Sequence, residues 1–239
     1  MARIRVVAFD LDGTVTQHRA QLEEQNRRVL DALGRRYRLV MVGAGTCERI
    51  WRQLGCYPID IIGNYGMQFA ACDEAGMHLL RDERVPVDRA RQLARAETLR
   101  AHFGLHAFVG DSLEFHPTGA LTFPVLGTRA PIAEKLAYDP DGAKRRAMLP
   151  YVRQLFSDYR VLLGGTNSFD IIPTRFGKLN GLRAYLRERG LTEGEAAFCG
   201  DDYLEGGNDH DVYESDVLFI PVDDYAQLGA LLKGQGLLE

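Results

Sequence analysis

Short apolar runs alternate with amphipathic stretches along most of the chain. Ile4 to Phe9 is an almost unbroken apolar run that stops at Asp10, the pattern of a strand buried on both faces of a parallel sheet. Gln21 to Arg36 then places Leu22, Val29, Leu30 and Leu33 at helical spacing with charge between them, and Arg38 to Gly43 is apolar again. These pieces predict a β-α-β unit. A helix over Glu48–Leu54, a strand over Ile59–Ile62, and later strands at Ala196–Gly200 and Val217–Pro221 continue the alternation, with helices over Lys178–Arg189 and Tyr225–Leu232. The expected core is a doubly wound α/β fold around a parallel sheet, with its chemistry in loops beyond the carboxyl ends of the strands.

Between Asp82 and Pro173 the texture changes. A charged helix over Val87–His102 precedes alternating strands near Val109–Phe115 and Ala120–Val125, then a helix near Ala143–Phe156 and strands at Arg160–Leu163 and Phe169–Ile172. That order is what an α+β module shows when its helices pack on one face of an antiparallel sheet. The division expected is a core of residues 1–82 and 174–239 with an α+β cap of residues 83–173 inserted into it, the two sharing a cleft. Pro86 and Pro173 mark the junctions.

Composition sets limits on partners. The 239 residues are 46% hydrophobic and 26% charged, enough to bury a substantial core. A net charge of -4 and a pI near 5.9 lack the basic footprint of a nucleic-acid binder. The longest apolar runs are strand-length, far short of the roughly 20 residues that cross a bilayer. Cys47, Cys56, Cys72 and Cys199 show no CxxC pairing, and MARIRVVAFDLDG runs straight into a strand, so reduced thiols in a cytoplasmic monomer or homodimer are expected.

Asp10-Leu11-Asp12-Gly13-Thr14 is the strongest chemical signal. It sets two carboxylates two residues apart at the mouth of a buried strand, before a glycine that allows a sharp turn. An ionised carboxylate can attack phosphorus to give an acyl phosphate, and a neighbouring acid can protonate the leaving oxygen. An isolated Asp-Gly is more often only a turn. Gly200-Asp201-Asp202-Tyr203-Leu204-Glu205-Gly206-Gly207-Asn208-Asp209 ends another apolar strand, so its acids should reach the same sheet edge. Clustered carboxylates beside a phosphate site suit Mg²⁺, which prefers hard oxygen ligands, whereas the spacing of a calcium loop is absent. Asp202, Asn208 and Asp209 are expected to support that loop. Lys178, at the start of a helix, is the cation expected to hold nucleophile and phosphoryl group. Thr14 is expected beside the same phosphate.

The order DLDGT, a strand-loop with a small hydroxyl, a lysine, then GDDxxxGGND resembles the haloacid dehalogenase superfamily, and the resemblance covers essentially the whole chain. A cap at this place resembles that of Cof-like sugar phosphatases and of eukaryotic-type phosphomannomutases. GGNDHD at Gly206–Asp211, GGTNSFDIIP at Gly164–Pro173 and VGAGTCERIWRQLG at Val42–Gly55 look like segments of the phosphomannomutases. The resemblance implies that Asp10 is the nucleophile and Asp12 the general acid/base. It implies that metal is held by Asp10, the Asp12 backbone carbonyl and Asp201, and that Ser168 and Asp170 bind sugar hydroxyls.

Departures from the pattern bear on the reaction. Where the mutases grip a second phosphate with several cap arginines, this chain has His116, Arg129 and Lys135. An imidazole or an ammonium does not replace a bidentate guanidinium fork. His116 also reads as a satisfied strand-end histidine. The second-motif hydroxyl is assigned to Thr46, while Ala44 stands where many relatives carry Ser or Thr. Asn64-Tyr65-Gly66 lines the cleft or is simply a tight turn. Lys144-Arg145-Arg146 opens a cap helix and reads as a solvated face. The first expectation is therefore a Mg²⁺-dependent phosphatase of a small phosphorylated metabolite such as a sugar phosphate. A phosphomannomutase-like isomerase is the alternative, and a non-catalytic phosphometabolite sensor is a third reading.

Overall fold

Val6, Val7, Ala8 and Phe9 have no exposed surface, and they form β1 (Val6–Phe9) near the middle of a seven-stranded sheet. The computed structural model describes residues 3–239. Around β1 stand β2 (Arg38–Val42), β3 (Asp60–Gly63), β4 (Gln68–Asp73), β5 (Gly76–Asp82), β10 (Ala196–Gly200) and β11 (Leu218–Pro221), in the order β11-β10-β1-β2-β3-β4-β5. The first five in that order run parallel, and β4 and β5 fold back antiparallel.

The pleat of β1 shows why its sequence is apolar throughout. Val7 and Phe9 pack on one face with Leu30 and Leu33 of α1 (Glu24–Gly34), Ile50 of α2 (Cys47–Gln53) and Leu228 and Leu232 of α8 (Leu228–Gly234). Val6 and Ala8 pack on the other with Leu179, Leu182, Tyr185 and Leu186 of α6 (Lys178–Arg187) and with Val212 of the short α7 (His210–Tyr213). Helices thus cover both faces, as the doubly wound reading requires. One element escaped that reading. The hairpin of β4 and β5 has an edge strand with no buried residue, so no buried period marks it, although Asp73 caps its turn by accepting from the N–H groups of Ala75 and Gly76.

Residues Arg84–Phe176 with Glu205–Asn208 make a second unit, distinct from Met1–Glu83, Gly177–Leu204 and Asp209–Glu239. The short segment Glu205–Asn208 joins the inserted unit because the Leu163 N–H donates to the Gly206 carbonyl at 2.9 Å. Its antiparallel sheet has the order β6-β7-β9-β8, from β6 (Glu114–Phe115), β7 (Leu121–Pro124), β8 (Tyr159–Gly164) and β9 (Ser168–Pro173). Leu99 of α3 (Arg89–Phe103) and Met148, Leu149 and Val152 of α5 (Ala143–Leu155) close its core against Phe123, Phe169 and Ile171.

Two expectations fail here for identifiable reasons. Val109–Ser112 is not strand, because Val109 pairs with the 126–129 loop: it donates to Leu126 and accepts from Arg129. A further helix, α4 (Ile132–Tyr138), was not anticipated; it is short and has no buried residue, with Ile132 and Leu136 exposed. Arg145 is likewise not on a solvated face. It is buried, and its Nε donates to Asp139 at 2.8 Å. Among the described residues, no helix is long and apolar enough to cross a membrane.

Candidate active site

The site begins where two parallel strands stop side by side. The Asp10 N–H donates to the Cys199 carbonyl at 2.9 Å, so the loop after β1 and the loop after β10 leave the sheet together. Beyond Asp10 the chain folds on itself, with the N–H groups of Val15 and Thr16 both donating to the Leu11 carbonyl. Gly13 sits at φ 93°, and a Cβ there would collide with the Asp201 carboxylate, so the turn needs glycine twice over.

Lys178 is the centre of the charge arrangement. Its side chain is 1% exposed, and its Nζ lies 2.8 Å from Asp10 Oδ1 and 2.8 Å from Asp209 Oδ1. Burial works to discharge the amine, but the carboxylates of Asp10 and Asp209 outweigh it and hold Lys178 well above the ordinary lysine value. The helix that presents it is braced by a strained turn: Asn64 (φ 46°) and Tyr65 (φ 56°) are both left-handed, and the Tyr65 carbonyl accepts from the Gly177 N–H at 2.9 Å. Asn64 itself donates its N–H to the Gly45 carbonyl at 2.7 Å, which ties that turn to the loop after β2.

Asp201 completes the cluster. Oxygens of Asp10, Asp201 and Asp209 lie within 4.8 Å of one another. Burial raises the Asp201 carboxyl to about 8, with the Asp10 charge adding to it, and burial also raises Asp209 despite Lys178. Two buried acids, Asp10 and Asp209, and the half-buried Asp201 against one lysine give an excess of carboxylates that a hard divalent cation would neutralise, and the all-oxygen donor set fits Mg²⁺. Asp202 supports the loop through its backbone, donating its N–H to Asp209 Oδ2 and accepting from the Asp209 N–H.

The two hydroxyls expected at the phosphate serve other partners. Thr14 is fully buried and donates to Asp201 Oδ1 at 2.9 Å, fixing the carboxylate. Thr46 is the N-cap of α2, its oxygen accepting from the Arg49 N–H at 3.1 Å. Asp12 points to partners outside the cluster. Gln53 donates to its Oδ1 at 2.6 Å, the Arg19 N–H donates to the same oxygen at 2.7 Å, and the Arg49 guanidinium lies 3.4 Å from Oδ2. Partial burial would raise this carboxyl, but those three donors prevail and hold it below the usual carboxylate value. Arg49 and Gln53 were missed in the sequence because a charged and a polar residue four apart on a helix read as a solvated face.

The inserted unit has its own polar chain. His116 Nε2 lies 2.9 Å from the Thr122 hydroxyl, which donates to Asp170 Oδ1 at 3.1 Å. Ser168 Oγ donates to the Gly164 carbonyl at 2.7 Å, and Lys135 donates to the Thr128 carbonyl at 3.0 Å. Arg129 follows that carbonyl, and its N–H donates to Val109. Asn208 falls in the segment grouped with this unit.

A loop carrying Asp10 after the first strand, a buried lysine at a helix start and an acidic loop after β10 are the arrangement of the haloacid dehalogenase superfamily, to which this chain belongs. Within it the chain belongs to the eukaryotic phosphomannomutase family, whose sequence profile matches residues 101–220. A phosphomannomutase of Solanum lycopersicum is 27% identical, over 88% of this chain and 85% of its own length. One of Encephalitozoon cuniculi is 25% identical, over 97% and 95%. Among solved structures, an N-terminally truncated, IMP-bound IMP-nucleotidase of Plasmodium falciparum superposes with TM-score 0.72 at 14% identity, covering 99% of this chain and 69% of that one. A haloacid dehalogenase-like hydrolase from B. subtilis superposes with TM-score 0.67 at 14% identity, covering 98% and 100%. At such identities the structural likeness speaks for the fold alone. The named relatives reverse the expected order of reactions, since they favour the mutase over the hydrolase.

Proposed function

We propose that this protein is a phosphomannomutase-type enzyme that moves a phosphoryl group between positions of a hexose phosphate by way of an aspartyl phosphate at Asp10. The observation that carries the reading is the buried Asp10–Lys178–Asp209 contact, with Asp201 beside it, in a chain whose near-full-length relatives are phosphomannomutases. Asp10 attacks phosphorus in line. Lys178 keeps the attacking carboxylate oriented and stays charged as the phosphoryl oxygens gather negative charge. Asp12 gives a proton to the departing sugar oxygen and takes one from the hydroxyl that attacks the aspartyl phosphate next. Asp10, Asp201 and the Asp12 carbonyl would hold Mg²⁺, which when bound neutralises phosphoryl charge. Asp209 keeps Lys178 in place, while Thr14 sets the angle of Asp201.

Ser168, Asp170 and Asn64 are assigned to the sugar, and His116, Arg129 and Lys135 to its remote phosphate. Hydrolysis is the second reading, favoured by one observation: His116 and Lys135 are engaged with Thr122 and the Thr128 carbonyl. Phosphorus NMR with Mg²⁺, mannose 1-phosphate and a trace of hexose 1,6-bisphosphate separates the two. Isomerised monophosphate without release of inorganic phosphate is the expected result. Inorganic phosphate as the main product would establish the phosphatase instead.

A further inference from the structure

The loop that leaves β2 reads Gly43-Ala44-Gly45-Thr46, and it lies beside the Asp12 loop through Arg49 and Gln53 of α2. Its side chains offer few donors. Positions 44 and 45 carry no hydroxyl, and the Thr46 oxygen is the cap of α2. What occupies the space instead is a guanidinium. A Cβ on Gly45 would collide with Nε and Nη2 of Arg49, so the missing side chain is what lets Arg49 lie across the loop.

Arg49 is held there loosely. Both of its contacts to Asp12 Oδ2 are 3.4 Å, beyond the range of a well-formed charged hydrogen bond, and its firm bond is to Gln53 Oε1 at 3.1 Å. Its side chain is 43% exposed, whereas Lys178 is buried and committed to two carboxylates. An incoming phosphate therefore meets several acids and needs an accessible cation with donors to spare. A guanidinium has five N–H donors in a planar fork, so one edge can keep Asp12 while another takes phosphoryl oxygens.

We propose that Arg49 is a phosphate-binding residue of this site, standing in for the hydroxyl that positions 44 and 45 lack. It rests on the phosphoryl-transfer reading and adds the group that meets the oxyanion at the end of β2. Gly45 and Arg49 are then a matched pair: the glycine makes room for the guanidinium. Gln53 acts as a positioning residue, fixing Arg49 and Asp12 from the same helix face.

The test is calorimetric binding of inorganic phosphate, at saturating Mg²⁺, to the full chain and to Arg49→Ala and Arg49→Lys, each repeated in an Asp12→Asn background. Arg49→Ala is expected to weaken phosphate binding roughly ten- to hundredfold with an unchanged unfolding midpoint, and Arg49→Lys to recover part of the loss. The factor should be the same in both backgrounds, because a direct contact does not need the Asp12 charge. Unchanged affinity in Arg49→Ala overturns the proposal. So does a loss that vanishes beside Asp12→Asn, which would mean that Arg49 acts only by neutralising Asp12. Because no turnover is involved, phosphate binding that depends on Arg49 in a protein without isomerase activity would remove the mutase reading and leave this one standing.

Discussion

Buried charge is handled in two ways in this molecule. In the inserted unit, Asp139 and Arg145 form a one-to-one pair at 2.8 Å, and Arg145 also donates to the carbonyls of Gly164 and Gly165 at 2.9 Å each. Arg100 there is also buried, and its guanidinium is surrounded by Ser112 and the carbonyls of Leu105, Val125 and Pro124. Both guanidiniums are thus satisfied within the unit, one by a carboxylate and carbonyls, the other by a hydroxyl and carbonyls. In the α/β unit, Asp10, Asp201 and Asp209 converge on a single lysine. The first arrangement is complete without a ligand and locks loops together. The second crowds carboxylates without a matching number of cations, and that imbalance is what supports reading it as the chemical site.

The contrast requires that removing an acid have opposite effects in the two units. Asp139→Ala strands the Arg145 charge and should destabilise the inserted unit by about 3–5 kcal/mol in urea unfolding. A loss below about 1 kcal/mol would show the pair to be ornamental. Asp201→Asn should instead stabilise the metal-free protein by about 1–2 kcal/mol, since the amide still accepts from Thr14 but no longer repels Asp10. The same variant should lose the rise in unfolding midpoint that Mg²⁺ gives the parent. Destabilisation in EDTA would contradict the idea of uncompensated charge.

A smaller effect follows with pH. Burial alone would raise the Asp139 carboxyl, but hydrogen bonds from Arg145 and the Lys144 N–H hold it below its ordinary 3.8. The unfolded chain then binds more protons than the folded one in that region, so the pair's contribution is present above about pH 4 and fades as pH falls through the folded value. Acid unfolding of the inserted unit should shift to higher pH in Asp139→Asn, read from near-ultraviolet circular dichroism. An identical acid limb in variant and parent would remove Asp139 from the account.

How far the sequence reaches differs between the same two regions. The α/β unit was legible because β1 is buried on both faces and its apolar run stops at Asp10, which the fold sets against Lys178. Lys178, Asp201 and Asp209 were legible as types in an order, and the fold brings them together. The partners of the hydroxyls were not, because Thr14 and Thr46 bond to groups that residue type alone does not reveal, one to a carboxylate and one to a helix N-terminus. Arg49 and Gln53 were hidden by lying on what reads as a polar helix face. In the inserted unit, α4 is a short helix whose Ile132 and Leu136 are exposed, Val109 bonds to the 126–129 loop rather than to a strand, and Arg145 looked solvated because its partner Asp139 precedes the helix it opens.

The central claim is that Asp10 carries the phosphoryl group between sugars, and acid-quench labelling tests it most directly. Protein mixed with Mg²⁺ and ³²P-labelled hexose 1,6-bisphosphate should acquire hydroxylamine-sensitive label that maps to Asp10, is absent in Asp10→Asn, and passes to unlabelled mannose 1-phosphate as bisphosphate. Label that never appears on the protein, or that leaves only as inorganic phosphate while mannose 1-phosphate stays unlabelled, would contradict it.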